Sequence, residues 1–295
     1  MPDQTMFAIR EDAAPALAGT VQPLAKLAVL VPTRKEAANI EELLGRISAA
    51  VTGIPTEIVF VDDSDDHTPV VIRAAARQRG GDACQVSLIH RRGGQRTGSL
   101  GGAVVNGLDA ADALWVCVLD ADLQHPPEVI PTLLTTAERD RADLAIASRY
   151  CGTGRADGLG PVRALISTVC GSAARLLFPV RLRGVTDPMS GFFLVRRSAV
   201  NPDALRPRGF KILLELLVRH GGLRATEVGY TFADRHAGES KGTLREGLAY
   251  LGSLADLRLG RGTPPPSRFP VCPVEVEPLV PLTRHTRTVR ARCRA

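Results

Sequence analysis

Two aspartates that follow an apolar run are the residues of this chain with the clearest capacity for chemistry. The run from Trp115 to Leu119 is followed by Asp120 and Asp122, with one alanine between them. Residues two apart in an extended segment point to the same side, so both carboxylates are expected to face the same way. Together with Gln124 they offer the oxygen ligands of Mg²⁺ or Mn²⁺, ions that commonly complete their coordination with substrate phosphates. The spacing therefore predicts a metal site for a phosphate-bearing substrate.

A solvated turn is the alternative interpretation, because Asp-x-Asp pairs are common and a second pair stands at Asp63 and Asp65. The context of the first pair favours the metal. A continuous apolar run is typical of a buried parallel strand, and ligand sites in open α/β sheets lie at the carboxyl ends of such strands. Pro126 and Pro127 then mark the first turn of a helix.

The elements that would position these carboxylates alternate between strand and helix. The pattern predicts a mainly parallel sheet with helices on both faces. Strands are predicted at 27–33, 57–61, 86–90, 115–119 and 144–148, and helices at 36–50, 69–79, 100–111 and 127–139. After residue 150 we expect a helix at 162–178, an irregular strand at 190–195, a helix at 211–220, a strand at 225–232 and a helix at 244–257. Asp62, Asp63, Asp120 and Asp122 would then all follow strand ends.

The helix predicted at 162–178 carries an apolar stripe with two possible roles. The stripe consists of Leu165, Ile166, Val169, Ala173, Leu176 and Leu177, with Arg163 and Arg175 beside it. Such a pattern suits a helix at a membrane interface, and it suits packing against a protein core equally well. Core packing is the expectation for most of the stripe.

Composition indicates a globular protein of enzyme size. The chain has 295 residues and is 44% hydrophobic, enough for a core in one large or two small domains. No apolar run approaches the ~20 residues that a membrane span requires. The six cysteines show neither a C-x-x-C pair nor zinc spacing, so we expect reduced, cytoplasmic thiols. Residues 1–25 are predicted to be a disordered leader that is not a secretion signal.

The positive charge is concentrated near the carboxyl end. Of the net charge of +6, five units lie in residues 261–295, which hold seven arginines and two glutamates. This segment opens with three consecutive prolines and lacks sustained periodicity, so it is predicted to be a disordered basic tail after a folded domain at 26–260. The expected partner is anionic, either an anionic membrane surface or a nucleic acid, with a purely solubilising role as the alternative.

Two short motifs could suggest other functions. The glycine-rich segment 93–102 lacks the spacing of a dinucleotide-binding turn, and Ser99 stands where a phosphate-binding loop requires lysine. Residues 238–242 match G-x-S-x-G, but no full apolar strand precedes them and His285 is the only later histidine. Neither a dinucleotide cofactor nor serine hydrolysis is expected.

Several blocks in order resemble one known family. They read VPTRKEAANIEEL, VDDSDDHTP, LGGAVVNGL, VLDADLQHPPEVI, ASRY, VTDPMSGFFLVRR, GFKILLELL and RHAGESKGTLREGL, between about residues 27 and 254. The chain is thereby similar to the inverting glycosyltransferases of GT-A fold that are related to dolichol-phosphate (polyprenol-phosphate) mannose synthase. The resemblance implies a nucleotide-sugar-binding α/β fold.

The resemblance also implies roles for individual residues. Nucleotide-sugar contacts fall on Pro32, Arg34, Glu36, Asp63, Asp120, Ala121, Gln124, Arg149, Asp187 and Lys211. Metal ligands fall on Asp120, Asp122 and Gln124, and the catalytic roles on Asp122 and Arg235. The acceptor phosphate is expected at Arg149, Arg163 and Ser240. Asp187 stands in a turn before proline, where a purely structural role is the alternative.

The implied reaction is metal-dependent, inverting transfer of a sugar, most simply mannose from GDP-mannose, to a polyprenyl or dolichyl phosphate at the inner face of the membrane. Such an acceptor is already an anionic nucleophile, so positioning and charge neutralisation suffice without a buried base. One alternative is UDP-glucose or another donor, or a non-lipid acceptor. Another is a nucleic-acid-binding protein acting through its tail, which the aromatic content of 4% disfavours.

Overall fold

The fold is a single twisted sheet between two layers of helices. A computed structural model describes residues 25–79, 84–157, 161–207, 211–233, 252, 254–258 and 276–279. Within them the strands are β1 (Ala25–Thr33), β2 (Thr56–Asp62), β3 (Cys84–His90), β4 (Ala113–Val118), β5 (Leu144–Ser148), β6 (Phe193–Arg196), β7 (Ala225–Gly229) and β8 (Val276–Pro278). The helices are α1 (Ile40–Ala50), α2 (Thr68–Gln78), α3 (Ser99–Ala110), α4 (Ile130–Arg139), α5 (Pro161–Leu177) and α6 (Ile212–Arg219).

The strand order brings the predicted acids to one edge of the sheet. The order is β7-β5-β6-β4-β1-β2-β3-β8, and β1 pairs in parallel with both β2 and β4. The chain leaves β1 towards β2 on one side and later returns to β4 on the other, which creates the crevice where α/β sheets bind ligands. The carboxyl ends of β1, β2 and β4 border this crevice.

One antiparallel strand carries a further loop to the same edge. β6 lies between β4 and β5 and runs opposite to both. The chain therefore enters β6 where its neighbours end, and the loop before it, residues 186–192, joins the crevice. In that loop the Ser190 hydroxyl donates to Ala147 O at 2.7 Å and accepts from Phe192 N at 3.1 Å. These bonds explain why the strand begins at Phe193 rather than at the predicted residue 190.

Two hydrophobic cores, one on each face of the sheet, join it to the helices. Leu27, Val29 and Val31 of β1 face the core that α1, α2 and α4 cover. Ala28 and Leu30 face the other core, which receives α3, α5 and α6. This alternation follows from the two-residue period of a strand.

The predicted elements are confirmed with shifts of a few residues at their ends, except that the helix predicted at 244–257 is described only at residues 252 and 254–257. The leader predicted at 1–25 lies, apart from Ala25, outside the described residues. Two further differences are of substance. The apolar stripe of α5 was expected to pack in the core, but Leu165, Val169, Leu176 and Leu177 are exposed. The tail was expected to lack structure, but its residues 276–278 form the edge strand β8, antiparallel to β3. Leu279 is buried next to that strand, and Glu277 pairs with Arg73 at 2.8 Å. The prediction of a disordered tail is therefore wrong for these four residues.

Candidate active site

The Asp-x-Asp pair lies in a tight turn just beyond β4. The strand ends at Val118, so the pair does not continue it as the extended segment that the spacing argument assumed. Asp122 is buried and accepts a hydrogen bond from Gln124 N at 3.2 Å, while Asp120 is about one third exposed. Leu123 adopts a φ of 64°, a left-handed conformation that non-glycine residues hold only where the surroundings enforce it.

The turn is attached to the segment that follows β7. Gln124 donates from its side-chain amide to Ala233 O at 3.2 Å, and Ala233 N donates to Gln124 O at 3.0 Å. Arg235 and Ser240 follow this segment in the sequence and lie outside the described residues, as does the predicted loop around them. Their expected roles remain predictions.

His125 is buried at the end of the turn and contacts Asp120. Its Nδ1 accepts a hydrogen bond from Asp120 N at 3.2 Å and lies 3.7 Å from Asp120 Oδ2. Its ring packs against the rings of Phe192 and Phe232, with centroids 5.5 Å away in each case. Burial lowers the pKa of His125 to about 4, although the charge of Asp122 opposes the shift. The imidazole is therefore neutral at physiological pH and is a weak base.

Arg149 and Asp187 form a buried ion pair within electrostatic reach of the turn. Arg149 Nε and Nη2 donate to the two carboxylate oxygens of Asp187 at 2.8 and 2.9 Å. Asp187 has no exposed surface and the Arg149 side chain is 8% exposed. Burial works against the charge of Arg149, but the hydrogen bonds to Asp187 prevail and raise the pKa of the guanidinium. The N–H groups of Arg149 that were expected to bind phosphate donate to Asp187 instead. A phosphate would therefore use the remaining N–H groups of the guanidinium.

The loop that carries Asp187 is held from β7. Glu227 Oε1 accepts from Thr186 N at 2.9 Å and from Asp187 N at 3.1 Å. The Thr186 hydroxyl also lies 2.7 Å from that of Ser148, at the end of β5. These bonds fix Ser148 and Thr186, the residues that precede Arg149 and Asp187 in the sequence, and so hold both partners of the ion pair in position. Gly191, further along the loop, approaches Asp120 so closely that a Cβ would lie 2.9 Å from Oδ2.

Lys211 adds a second positive charge near the Asp-x-Asp turn and the Arg149–Asp187 pair. It precedes α6 and donates from Nζ to Met189 O at 2.9 Å. Burial first and the charge of Arg149 second lower the pKa of Lys211 to about 8, while Asp120 and Asp187 act in the opposite direction. The lysine thus lies within electrostatic reach of the Asp-x-Asp turn and of the ion pair. It remains mostly protonated at neutral pH.

The predicted nucleotide-binding residues surround the ends of β1 and β2. Pro32 is buried within β1, and Arg34 beyond it is exposed. Glu36 accepts from Asn39 Nδ2 at 2.8 Å. Asp63 is buried in a pair with Arg91, whose Nε lies 2.7 Å from Oδ1. The structure thus brings Pro32, Arg34, Glu36 and Asp63 to the carboxyl edge of two neighbouring strands.

A polar network fixes this corner, and the sequence argument did not identify it. Asp62 has no exposed surface and accepts from Thr33 Oγ1 at 2.8 Å and Ser64 Oγ at 2.6 Å. His90 Nδ1 lies 2.8 Å from the other carboxylate oxygen of Asp62. The network therefore joins the ends of β1, β2 and β3. Strand-end reasoning could have found His90 and Arg91, because they end and follow β3 as Asp62 and Asp63 end and follow β2.

Two of the predicted site residues remain. Ala121 is buried between the two aspartates. Arg163 belongs to α5, but its side chain is not among those described.

Within the described residues, no three histidine, cysteine, aspartate or glutamate side chains come together as a metal site of their own. No helix in the described part of the chain is both long and apolar enough to span a bilayer.

Comparison with known proteins identifies the family. Residues 28–202 match the family described as Glycosyl transferase family 2. The chain belongs to this family. It is 40% identical over 217 residues to a dolichol-phosphate mannosyltransferase of Pyrococcus furiosus, a match that covers 73% of this chain and 59% of that protein. It is 33% identical over 241 residues to a protein of the same name from Saccharomyces cerevisiae, covering 78% of this chain and 85% of the yeast protein.

Solved structures confirm the fold. Glucosyl-3-phosphoglycerate synthase of Mycobacterium tuberculosis, solved with Mn²⁺, UDP-glucose and phosphoglyceric acid, superimposes with a TM-score of 0.58. The two sequences are 20% identical, and the superposition covers 80% of each chain. The expected GT-A-type architecture and the resemblance to the dolichol-phosphate mannose synthase group are therefore both confirmed.

Proposed function

We propose that this glycosyl transferase family 2 protein moves a hexose, mannose from GDP-mannose, to the phosphate of a polyprenyl or dolichyl phosphate. One observation carries the proposal: two carboxylates of a turn lie near two cations and a buried aspartate in one crevice at the carboxyl ends of the strands. These residues are Asp120, Asp122, Arg149, Lys211 and Asp187. The names of the relatives at 40% and 33% identity support the lipid phosphate as acceptor.

The charges of the crevice match those of such a transfer. A phosphate oxygen of the acceptor attacks the anomeric carbon, the new C–O bond forms on the opposite face, and the bond to the diphosphate breaks. The configuration is inverted and the electron pair leaves with the nucleoside diphosphate. Lys211 and Arg149 supply positive charge beside the developing phosphate charge. No residue needs to remove a proton from an ionised acceptor, which agrees with the low pKa of about 4 of His125.

A divalent cation fits the donor set of the turn. Mg²⁺ and Mn²⁺ are commonly held by one or two carboxylates together with substrate phosphates, and Asp120 and Asp122 supply two carboxylates, with Gln124 as a neighbouring oxygen donor. When bound, the cation would neutralise the charge of the leaving diphosphate. The Mn²⁺ in the fold relative supports this assignment.

The donor corner is proposed to hold the nucleoside. Asp63 and Glu36 are acceptors for the N–H groups of a base, and Arg34 is exposed beside them. The enzyme would act on the inner face of the membrane as a peripheral protein. The alternative is UDP-glucose or another nucleotide sugar, with a lipid or a phosphorylated non-lipid acceptor, for which the glucosyl-3-phosphoglycerate synthase fold is the supporting observation.

A donor panel tests the proposal. The purified chain is incubated with a short polyprenyl phosphate, Mg²⁺ or Mn²⁺, and one labelled donor at a time: GDP-mannose, GDP-glucose, UDP-glucose or UDP-N-acetylglucosamine. We expect organic-extractable label with GDP-mannose, and a product of inverted anomeric configuration by NMR. Label with UDP-glucose alone would establish the alternative donor. No organic-extractable product from any donor would refute transfer to a polyprenyl phosphate.

A further inference from the structure

One buried polar group beside the crevice lacks a partner among the described residues. Tyr230 follows β7, where its N–H donates to Ser148 O at 3.1 Å and its carbonyl accepts from Arg155 N at 2.9 Å. The residue is 4% exposed. Its hydroxyl is enclosed, yet it forms no hydrogen bond with any described group. Most buried polar side-chain atoms have a partner, so this exception requires an explanation.

The ring of Tyr230 is held in place by three other aromatic rings. Its centroid lies 5.8 Å from that of Phe192, with the two rings edge to face, 6.1 Å from that of His125 and 6.4 Å from that of Phe232. His125 ends the Asp-x-Asp turn, and Phe192 belongs to the loop that carries Asp187. Such edge-to-face and tilted contacts are favourable in themselves. The position of the hydroxyl is therefore fixed by contacts in which the hydroxyl takes no part.

The hydroxyl lies among the charges of the crevice. Burial raises the pKa of Tyr230, the charge of Arg149 opposes this shift, and the charges of Asp187 and Asp120 add to it. The phenol is thus neutral at physiological pH, and a neutral phenol can both donate and accept a hydrogen bond. The group without a partner is therefore within electrostatic reach of the Asp-x-Asp turn and of the ion pair.

Ser190 also lies near this hydroxyl but does not bond to it. The Oγ of Ser190 donates its one proton to Ala147 O at 2.7 Å and accepts from Phe192 N at 3.1 Å. A buried hydroxyl that stays unpaired costs the free energy of its lost hydration. A ligand that enters the crevice can supply the missing partner and recover that cost.

The course of the reaction indicates which part of a substrate lies at Tyr230. Under the proposed function, the diphosphate leaves on the side of Asp120 and the acceptor phosphate attacks from the side of Arg149. In an inverting displacement these groups lie on opposite faces of the anomeric carbon, so the hexose lies between them. Tyr230 is within electrostatic reach of both sides. A hexose hydroxyl donates and accepts as the phenol does, whereas an ionised phosphate oxygen only accepts.

We propose that the Tyr230 hydroxyl forms a hydrogen bond with a hydroxyl of the transferred hexose and thereby helps to select the sugar. This inference rests on the proposed function and deepens it. Contacts to the base and the diphosphate are the same for every sugar that a nucleotide carries. A contact to one ring hydroxyl distinguishes between hexoses, because a sugar without that hydroxyl leaves the phenol unpaired.

Binding of donor and nucleotide tests the proposal without turnover. Tyr230→Phe removes the hydroxyl and keeps the ring. Calorimetry with Mn²⁺ and no acceptor measures the affinity for GDP-mannose and for GDP. The variant should bind GDP-mannose about tenfold more weakly and GDP as the native chain does, because only the sugar contact is lost. The matched control is Tyr150→Phe, whose hydroxyl is partnered by Ser167 Oγ at 3.3 Å, and it should keep both native affinities.

The free chain provides a second readout. If the hydroxyl has no partner before a donor binds, its removal leaves no group unpaired, so the thermal midpoint of free Tyr230→Phe should equal or exceed that of the native chain. A lower midpoint would show that a group of the protein, such as Ser190, already bonds to the hydroxyl, and the proposal would be wrong. Equal losses of affinity for GDP and GDP-mannose would place the contact on the nucleotide and overturn the assignment to the hexose.

Donors that lack one hydroxyl locate the contact. GDP-mannose analogues deoxygenated singly at carbons 2, 3, 4 and 6 of the sugar are compared in the native and Tyr230→Phe chains. For one analogue the native chain should lose the same tenfold, and the variant should lose nothing further, because both changes remove the same hydrogen bond. Losses that add for all four analogues would contradict the proposal. Absence of transfer to a polyprenyl phosphate, with these binding results as expected, would count against the proposed acceptor alone.

Discussion

At the scale of single residues, the crevice is built from charges that are already matched before a substrate arrives. Arg149 is buried with Asp187 and Arg91 with Asp63. Removing one partner of such a buried pair leaves an uncompensated charge, so a variant there would confuse loss of fold with loss of chemistry. The Asp-x-Asp turn is a better place to test the chemistry, because asparagine in place of Asp122 can still accept the hydrogen bond from Gln124 N.

Asp122→Asn should reduce turnover by about a hundredfold or more, because it removes a charge needed to hold the cation under the leaving diphosphate. Asparagine keeps an oxygen for the hydrogen bond from Gln124 N, so the fold should remain. Transfer rates and the thermal midpoint are measured for this variant and for Asp109→Asn on the exposed side of α3. Native rates in Asp122→Asn, or undiminished activity in excess chelator, would contradict the metal assignment.

Lys211 gives the reaction a predicted pH limit. Its ammonium is charged below its folded-state pKa of about 8, so positive charge beside the diphosphate is lost as the pH rises through that value. Because kcat/KM reports on the free enzyme, it should fall above pH 8, by up to about tenfold per unit. Lys211→Arg stays charged and should move this descent to higher pH. A native profile that stays flat to pH 10, or an unshifted descent in Lys211→Arg, would exclude the role.

At the scale of elements, β7 holds in place the loop that carries Asp187. Glu227 holds Thr186 N and Asp187 N, and so fixes the loop that faces Arg149. Glu227→Gln should lower kcat by roughly tenfold with little change in donor KM, because misplaced groups weaken the transition state more than binding. Glu57→Gln is the matched control, since Glu57 accepts from Asp112 N at 2.9 Å near the amino ends of the strands. Equal effects of the two variants would indicate a general loss of stability.

The elements also show what the sequence could predict. Apolar runs located β1 to β5 within a few residues, because a buried parallel strand has apolar residues on both faces. Because the carboxyl ends of parallel strands lie at one edge of the sheet, the sequence also predicted that Asp63, Asp120 and Asp122 lie at that edge. The exposure of α5 was not predictable, since its two apolar stripes have the same residue types and only tertiary contacts distinguish them. Glu227 was missed because one acid on a strand carries no local pattern.

At the scale of the whole molecule, the basic tail has two separable parts. β8 covers the edge of β3, and Leu279 beside it is 8% exposed. Truncation after Gly260 removes this strand and should lower the free energy of unfolding by about 2 kcal/mol, mainly through the lost burial of one leucine. Truncation after Val280 keeps β8 and should leave that free energy unchanged. Urea unfolding of the two truncated chains measures both values, and equal free energies of unfolding would contradict the role of β8.

The same pair of truncations addresses membrane attraction. The five arginines beyond Val280 contribute up to about 1 kcal/mol each at an anionic surface before screening. Truncation after Val280 should therefore weaken vesicle binding at low salt and change it little at high salt, where the charges are screened. Equal binding by this truncated chain and the native chain at low salt would contradict a role for those arginines.

The most direct test of the central claim is a competition between two acceptors in one reaction. Labelled GDP-mannose, Mg²⁺ and the full chain are incubated with equal concentrations of a short polyprenyl phosphate and 3-phosphoglycerate. The label in the organic and aqueous phases is then counted, with the Asp122→Asn chain as the blank. We predict transfer to the organic phase. Label that accumulates on phosphoglycerate, with none above the blank in the organic phase, would contradict a polyprenyl phosphate as the acceptor.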